Sequence, residues 1–158
     1  MQQTERARRV ILDSREEAIC LRKPCLETEH ILRGLLKERS GVAAESLAAH
    51  RINVPNLIKE LRGLGGDSEE VMFKGSLPFS LLSKRVLEYT LEEAKLLDQK
   101  YVNTEHLLLG LMRERRGKAF AVLSKLGFDY ASVKEGLRMQ RKGNQRSASK
   151  TPTLDESG

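Results

Sequence analysis

Two short residue groups in this 158-residue chain could do chemistry, and each nearly copies the other. Thr28-Glu29-His30 opens one apolar run, and Thr104-Glu105-His106 opens another. A threonine before an apolar run predicts a helix N-cap, and a glutamate in the first turn complements the positive end of the helix dipole. The same placement sets a carboxylate beside free backbone amides, an acceptor for a cation next to donors for an anion. A zwitterionic or phosphorylated guanidinium group needs both. An ordinary helix start is the commoner meaning of such a triplet, and duplication changes that little, because repeats inherit their caps. His30 and His106 are residue types for general-base or metal work. Neither has a second His, a Cys or a Ser nucleophile near it in sequence, so structural roles are expected. Cys20 and Cys25 are spaced neither as CxxC nor as half of a zinc set, which suits a reducing cytosol. No GxxxxGK[ST] or GxGxxG occurs, so the chain itself should not hydrolyse nucleotide. A binding module is expected, with no catalytic residue, no metal site and no cofactor.

The elements that must hold these groups form a repeat. The run from Thr28 to Leu36 returns from Thr104 to Met112, at an offset of 76 residues. At that offset Arg9-Val10 meets Arg85-Val86, Glu16-Glu17-Ala18 meets Glu92-Glu93-Ala94, Gly41 meets Gly117, and Leu61-Arg62 meets Leu137-Arg138. Roughly a third of the aligned pairs are identical, against about one in fifteen expected by chance. Each repeat predicts four helices. Thr4 or Ser80 caps the first, which runs to about Leu21 or Leu97 with Val10, Ala18 and Leu21 on one face. Thr28 or Thr104 caps the second, which ends near Arg39 or Arg115. Gly41 and Gly117 turn the chain into a short third helix, and Asn53 and Asp129 are N-cap candidates for the fourth. Gly34 and Gly110, inside helical patterns, point to close helix contact rather than a phosphate loop. The expected fold is all-α, two tandem four-helix repeats over 1–63 and 80–140, joined by a linker over 64–79 and followed by a disordered tail over 141–158.

Composition agrees with helices. Aromatics are 4% and Trp is absent, which argues against a β-sandwich or barrel of this size. The longest apolar stretch, Leu107 to Met112, falls far short of the roughly 20 residues a membrane span needs, and the first residues carry no apolar signal segment. Net charge is +6, so a small basic nucleic-acid binder must be considered. Arg138, Arg141, Lys142, Arg146 and Lys150, set against Asp155 and Glu156, bring the charge before residue 138 down to +3. No predicted helix carries a basic stripe with interleaved aromatics, so nucleic acid is a poor match.

The duplicated Thr-Glu-His-(Ile/Leu)-Leu-x-Gly-Leu signature and the opening Thr4-Glu5-Arg6-Ala7-Arg8-Arg9-Val10 resemble one family. It is the double-repeat N-terminal domain of Clp-type AAA+ unfoldases, nearest the ClpC branch. Lys150-Thr151-Pro152-Thr153-Leu154-Asp155-Glu156 looks like the segment that opens the first ATPase module in such proteins. The resemblance implies pseudo-twofold symmetry and a cytoplasmic domain, monomeric by itself, that binds substrates and adaptors for the ATPase ring and the ClpP peptidase. In ClpC-like members it also implies docking of phosphorylated arginine, once per repeat. By position, Glu29 and Glu105 would take the guanidinium, and Thr4 and Ser80 would help hold phosphate. Here Glu27 and Asn103 stand where the family has Gly, and the added charge of Glu27 is expected to weaken the first site. A second reading is a stand-alone accessory subunit of a Clp protease core, in the plastid stroma for a plant-type protein.

Overall fold

A computed structural model describes residues 2–38, 41–64 and 77–137. Its helices are α1 (Glu5–Cys20), α2 (Thr28–Lys37), α3 (Val42–Ala49), α4 (Val54–Leu64), α5 (Leu81–Leu96), α6 (Thr104–Arg113) and α7 (Lys118–Lys125). A helical segment over 130–137, here α8, completes the second set. Among the described residues the fold is all-α apart from two two-residue strands. Most of the expected linker and all of the expected tail lie outside the described residues. Residues 77–79, expected in the linker, belong to the folded body: Leu77 is buried and Phe79 bridges to Leu26.

The first helices begin as their sequences predict. Thr4 Oγ1 accepts the Ala7 N–H at 3.2 Å, and Ser80 Oγ accepts the Ser83 N–H at 3.1 Å. Asn53 and Asp129 likewise accept the N–H groups of Asn56 and Ser132, at 2.9 and 3.1 Å. One face of α1 buries Ala7, Val10, Ser14 and Ala18, and one face of α5 buries Ser83, Val86, Thr90 and Ala94. Leu21 departs from expectation: it follows the last turn of α1 and is 38% exposed.

Small residues on those faces let the second helices sit close. A Cβ added to Gly34 would lie 2.4 Å from Ser14 Oγ and 2.5 Å from the Val10 carbonyl. At Gly110 it would lie 2.4 Å from Thr90 Oγ1 and 2.8 Å from the Val86 carbonyl. The two buried hydroxyls are satisfied within their own helices, Ser14 donating to Val10 O and Thr90 to Val86 O, both at 2.7 Å. Helices α2 and α6 sit at the centre. Leu107 to Met112 are all buried, so α6 is apolar nearly all round. Ile31, Leu32 and Leu35 of α2 belong with them to one core cluster that spans both repeats.

The strands show how the repeats meet. β1 (Gln2–Gln3) pairs in parallel with β2 (Tyr101–Val102), so the lead-in to α1 lies on the lead-in to α6. Leu26 bridges Phe79 in the same sense, placing the lead-in to α5 on the lead-in to α2. The two pairings are related by the sequence offset of 76, so the crossing itself is pseudo-symmetric.

Gly34→Ala and Gly110→Ala should each destabilise the domain by about 1–3 kcal/mol through overpacking. Gly63→Ala, where an added Cβ meets nothing within 4 Å, should be neutral or stabilising. Urea unfolding of the three variants checks this contrast.

Candidate functional site

The Thr-Glu-His triplets start their helices one residue earlier than the sequence predicts. The N-caps are Glu27 and Asn103, and each histidine closes a capping box at the third helical position. The Glu27 N–H donates to His30 Nδ1 and the Asn103 N–H to His106 Nδ1, both at 2.8 Å. With Nδ1 accepting, the neutral ring carries its proton on Nε2. Burial, aided by Arg33 and Lys23, pushes the His30 pKa down to about 4, so the ring is neutral at pH 7 and serves the helix start.

Thr28 and Thr104 are therefore not caps of their own helices. Both are buried. Thr28 Oγ1 accepts the Ala119 N–H at 3.2 Å, in the first turn of α7, so a first-repeat hydroxyl caps a second-repeat helix. Gly117 makes room for it: an added Cβ there would lie 2.8 Å from Thr28 Oγ1. Gly41 stands in the same relation to Thr104, at 2.6 Å.

Between each threonine and histidine stands the glutamate. Burial raises the pKa of Glu29, against the opposing pull of its own backbone amide, Lys118 and Lys23. Burial also raises that of Glu105, against its backbone amide and Arg6. Glu105 Oε1 is buried without a hydrogen-bond partner. Each carboxylate is thus held, poorly solvated, at a helix start, a state that favours an incoming cation. Glu29 also lines a 240 Å³ pocket with Lys23, Arg33, Arg62 and Lys118.

Thr4 and Ser80 each make a backbone hydrogen bond to the other repeat, at the lead-in to its second helix. The Thr4 N–H donates to the Val102 carbonyl at 2.9 Å, and Thr4 Oγ1 to Asn103 Oδ1 at 3.0 Å. Thr4 therefore stands at the start of α6, the helix that carries Glu105. The Ser80 N–H donates to the Leu26 carbonyl at 3.0 Å, which places Ser80 by the start of α2 and Glu29. Ser80 Oγ bonds Ser83 Oγ at 3.1 Å and does not line the Glu29 pocket. Glu27 accepts the Cys25 thiol at 3.3 Å, and burial with that bond pushes the thiol pKa up to about 11.

Residues 2–151 match the family model described as the Clp repeat (R) N-terminal domain. The chain belongs to the Clp N-terminal domain family. It is similar to the ClpC ATP-binding subunits of Staphylococcus epidermidis, 40% identical over 160 residues, and Staphylococcus aureus, 39% identical. Those matches cover 96% of this chain but 19% of the relatives, so it spans about a fifth of their length. The N-terminal domain of ClpD from Arabidopsis thaliana superposes with a TM-score of 0.71 at 28% identity, covering 89% of this chain and 95% of that one. The ClpV N-domain solved with a VipB peptide shares the fold, with a TM-score of 0.70 at 18% identity, covering 87% and 86%.

Sequence patterns missed several residues of this Clp N-domain. Arg6 and Lys118 act on carboxylates of the opposite repeat, and no local spacing reveals that. Asn103 could have been found, since asparagine is a stronger N-cap than threonine. Glu93 is fully buried and takes Arg113 at 3.2 Å, Lys134 at 3.4 Å and the Tyr130 hydroxyl, tying α8 to α5 and α6.

The lowered His30 pKa sets a pH dependence. The unfolded chain takes up the proton near pH 6.5 and the folded one near 4, so this contribution is complete above 6.5 and is lost as pH falls toward 4. The raised Glu29 pKa works in the opposite sense. His30→Gln keeps an acceptor at the third position. Urea midpoints should show the wild type losing stability relative to His30→Gln as pH falls from 6.5 to 4.

Proposed function

We propose that this Clp N-domain collects protein substrates and adaptors for a ClpC-like unfoldase, and that it docks phosphorylated arginine at Glu29 and Glu105. One observation carries the reading: two pseudo-equivalent carboxylates held partly desolvated at helix starts, Glu29 ringed by cations and Glu105 with a buried oxygen lacking a partner. A guanidinium pairs a carboxylate through two parallel N–H donors, in the arrangement that a desolvated carboxylate rewards most. The phosphoryl group then meets first-turn amides without intrahelical partners, with Thr4 and Ser80 at the α1 and α5 starts. The two sites would be built between the repeats, since Thr4 bonds the start of α6 through its amide and hydroxyl and Ser80 bonds the lead-in to α2 through its amide.

Peptide capture by a domain of this fold has a precedent in the ClpV N-domain with its VipB peptide. In this reading the ATPase ring and the ClpP peptidase act downstream in the cytoplasm, and the domain contributes recognition rather than catalysis. No helix among the described residues is long and apolar enough to cross a membrane.

A fluorescent phosphoarginine peptide should bind the wild type, and its unmodified arginine counterpart should not. Glu29→Gln and Glu105→Gln together should weaken binding at least about tenfold, the scale of losing charge-assisted bonds. Both raised pKa values mean that the ionised carboxylates cost stability at neutral pH. The same variants should therefore melt a few degrees higher. Unchanged affinity in the double variant contradicts the site, and lowered melting points mark the glutamates as structural.

A further inference from the structure

The later helices of the two repeats also meet across the pseudo-twofold, and the two contacts differ. In one, α7 meets α4, and Lys125 holds Glu60 at 3.0 Å. In the other, α3 and α8 face each other across a 380 Å³ cleft. At the offset of 76, the cleft residues Ala49 and Gly136 correspond to Lys125 and Glu60. The ion pair that bridges the first contact is thus replaced by a methyl group and a hydrogen atom. Ser46, Ser132 and Val133 line the cleft where the other contact has the larger Val122, Asn56 and Leu57.

The walls of the cleft are anchored in the fold. Val133 is buried, and the His50 ring packs on that of Phe128 with centroids 4.2 Å apart. An added Cβ at Gly136 would meet nothing within 4 Å, so the space beside it is open. Among the described residues that line the cleft, Glu45 is the one acid, and no lysine or arginine joins it. None of the ion pairs among the described residues uses Glu45. It lies one turn before Ala49, on the same face of α3. None of these residues lines the Glu29 pocket.

We propose that this cleft docks a lysine side chain of a protein partner, with its stem between Ala49 and Gly136 and its ammonium at Glu45. The molecule supplies the template. At the pseudo-equivalent contact it bridges the two helices with a lysine on a carboxylate, Lys125 on Glu60. A four-carbon stem covers apolar surface while its ammonium stays hydrated beside an acid, which suits a cleft open to solvent. A cation from the partner also complements the single acid of the lining. This surface goes beyond the phosphoarginine reading and does not rest on it.

The test follows backbone amides by NMR as two end-blocked peptides, Ala-Ala-Lys-Ala-Ala and its norleucine counterpart, are titrated into the full chain. The lysine peptide should shift the amides of Ser46, Ala49 and Gly136 and bind about threefold tighter than the norleucine peptide, the scale of an exposed ion pair. Glu45→Gln should remove that difference. Ala49→Lys with Gly136→Glu transplants the α4–α7 ion pair into the cleft. It should abolish the shifts while keeping or raising the urea midpoint, which shows that the fold is retained. Phosphoarginine binding should be unchanged in both proteins, so the two readings fail separately. Equal binding of both peptides, cleft amides that do not move, or a lysine preference that survives Glu45→Gln each overturns the proposal. Moved signals from residues 141–158 in the double variant would make the chain's own end the occupant. A wild-type dimer that the double variant dissolves in sedimentation would make it a second copy, and either result overturns the proposal.

Discussion

Everything in this domain that could recognise a partner depends on the crossing of the two repeats. The amide of Thr4 reaches the carbonyl of Val102, and the amide of Ser80 reaches the carbonyl of Leu26, at 2.9 and 3.0 Å. Each bond sets the first helix of one repeat against the second helix of the other. A backbone bond of this kind contributes only about 1 kcal/mol net. Its larger effect is geometric. It fixes where two helix N-termini point, and therefore where their free amides and their first-turn carboxylates lie relative to one another. The buried Thr28 hydroxyl extends the same logic by capping α7, which puts Lys118 over Glu29. The repeats consequently share one core cluster rather than stacking two separate ones.

The capping boxes show why Thr-Glu-His has this composition. Histidine at the third position accepts the N-cap amide, and His30 is neutral at pH 7. Threonine at the first position is free to leave its own helix and serve another. Glutamate between them is left without a structural partner strong enough to offset its burial. Two of the three residues stabilise the fold, and the third is held at a cost, the pattern expected where a group is kept for binding. In the second repeat the buried Glu93, with Arg113 and Lys134, adds a lock on α8. Its counterpart Glu17 is less enclosed and pairs with Arg33 and Lys37.

Much of this was legible in the sequence because it is local. The helix starts at Thr4, Ser80, Asn53 and Asp129 follow from a side-chain oxygen meeting an amide three residues on. The roles of Gly34 and Gly110 follow from a missing Cβ inside an apolar periodic run. What stayed hidden is what one repeat does for the other. Thr28 reads as a cap in any local window, yet its partner amide is 91 residues away. Two-residue strands carry no periodicity, so β1 and β2 left no trace. The basic residues lining the Glu29 pocket come from both ends of the first repeat and from the second, a grouping that only the fold creates. The Glu29 and Glu105 assignments came from family resemblance, and what the structure adds to them is burial and neighbouring charge.

Native-state hydrogen exchange tests the interdependence of the repeats most directly. If the crossing holds the two together as one unit, the amides of Thr4, Leu26 and Ser80 and the core amides of α2 and α6 will exchange through one common opening, with the same free energy. Exchange of one repeat's core at a clearly lower free energy than the other's, with Thr4 and Ser80 opening before either, would contradict the account.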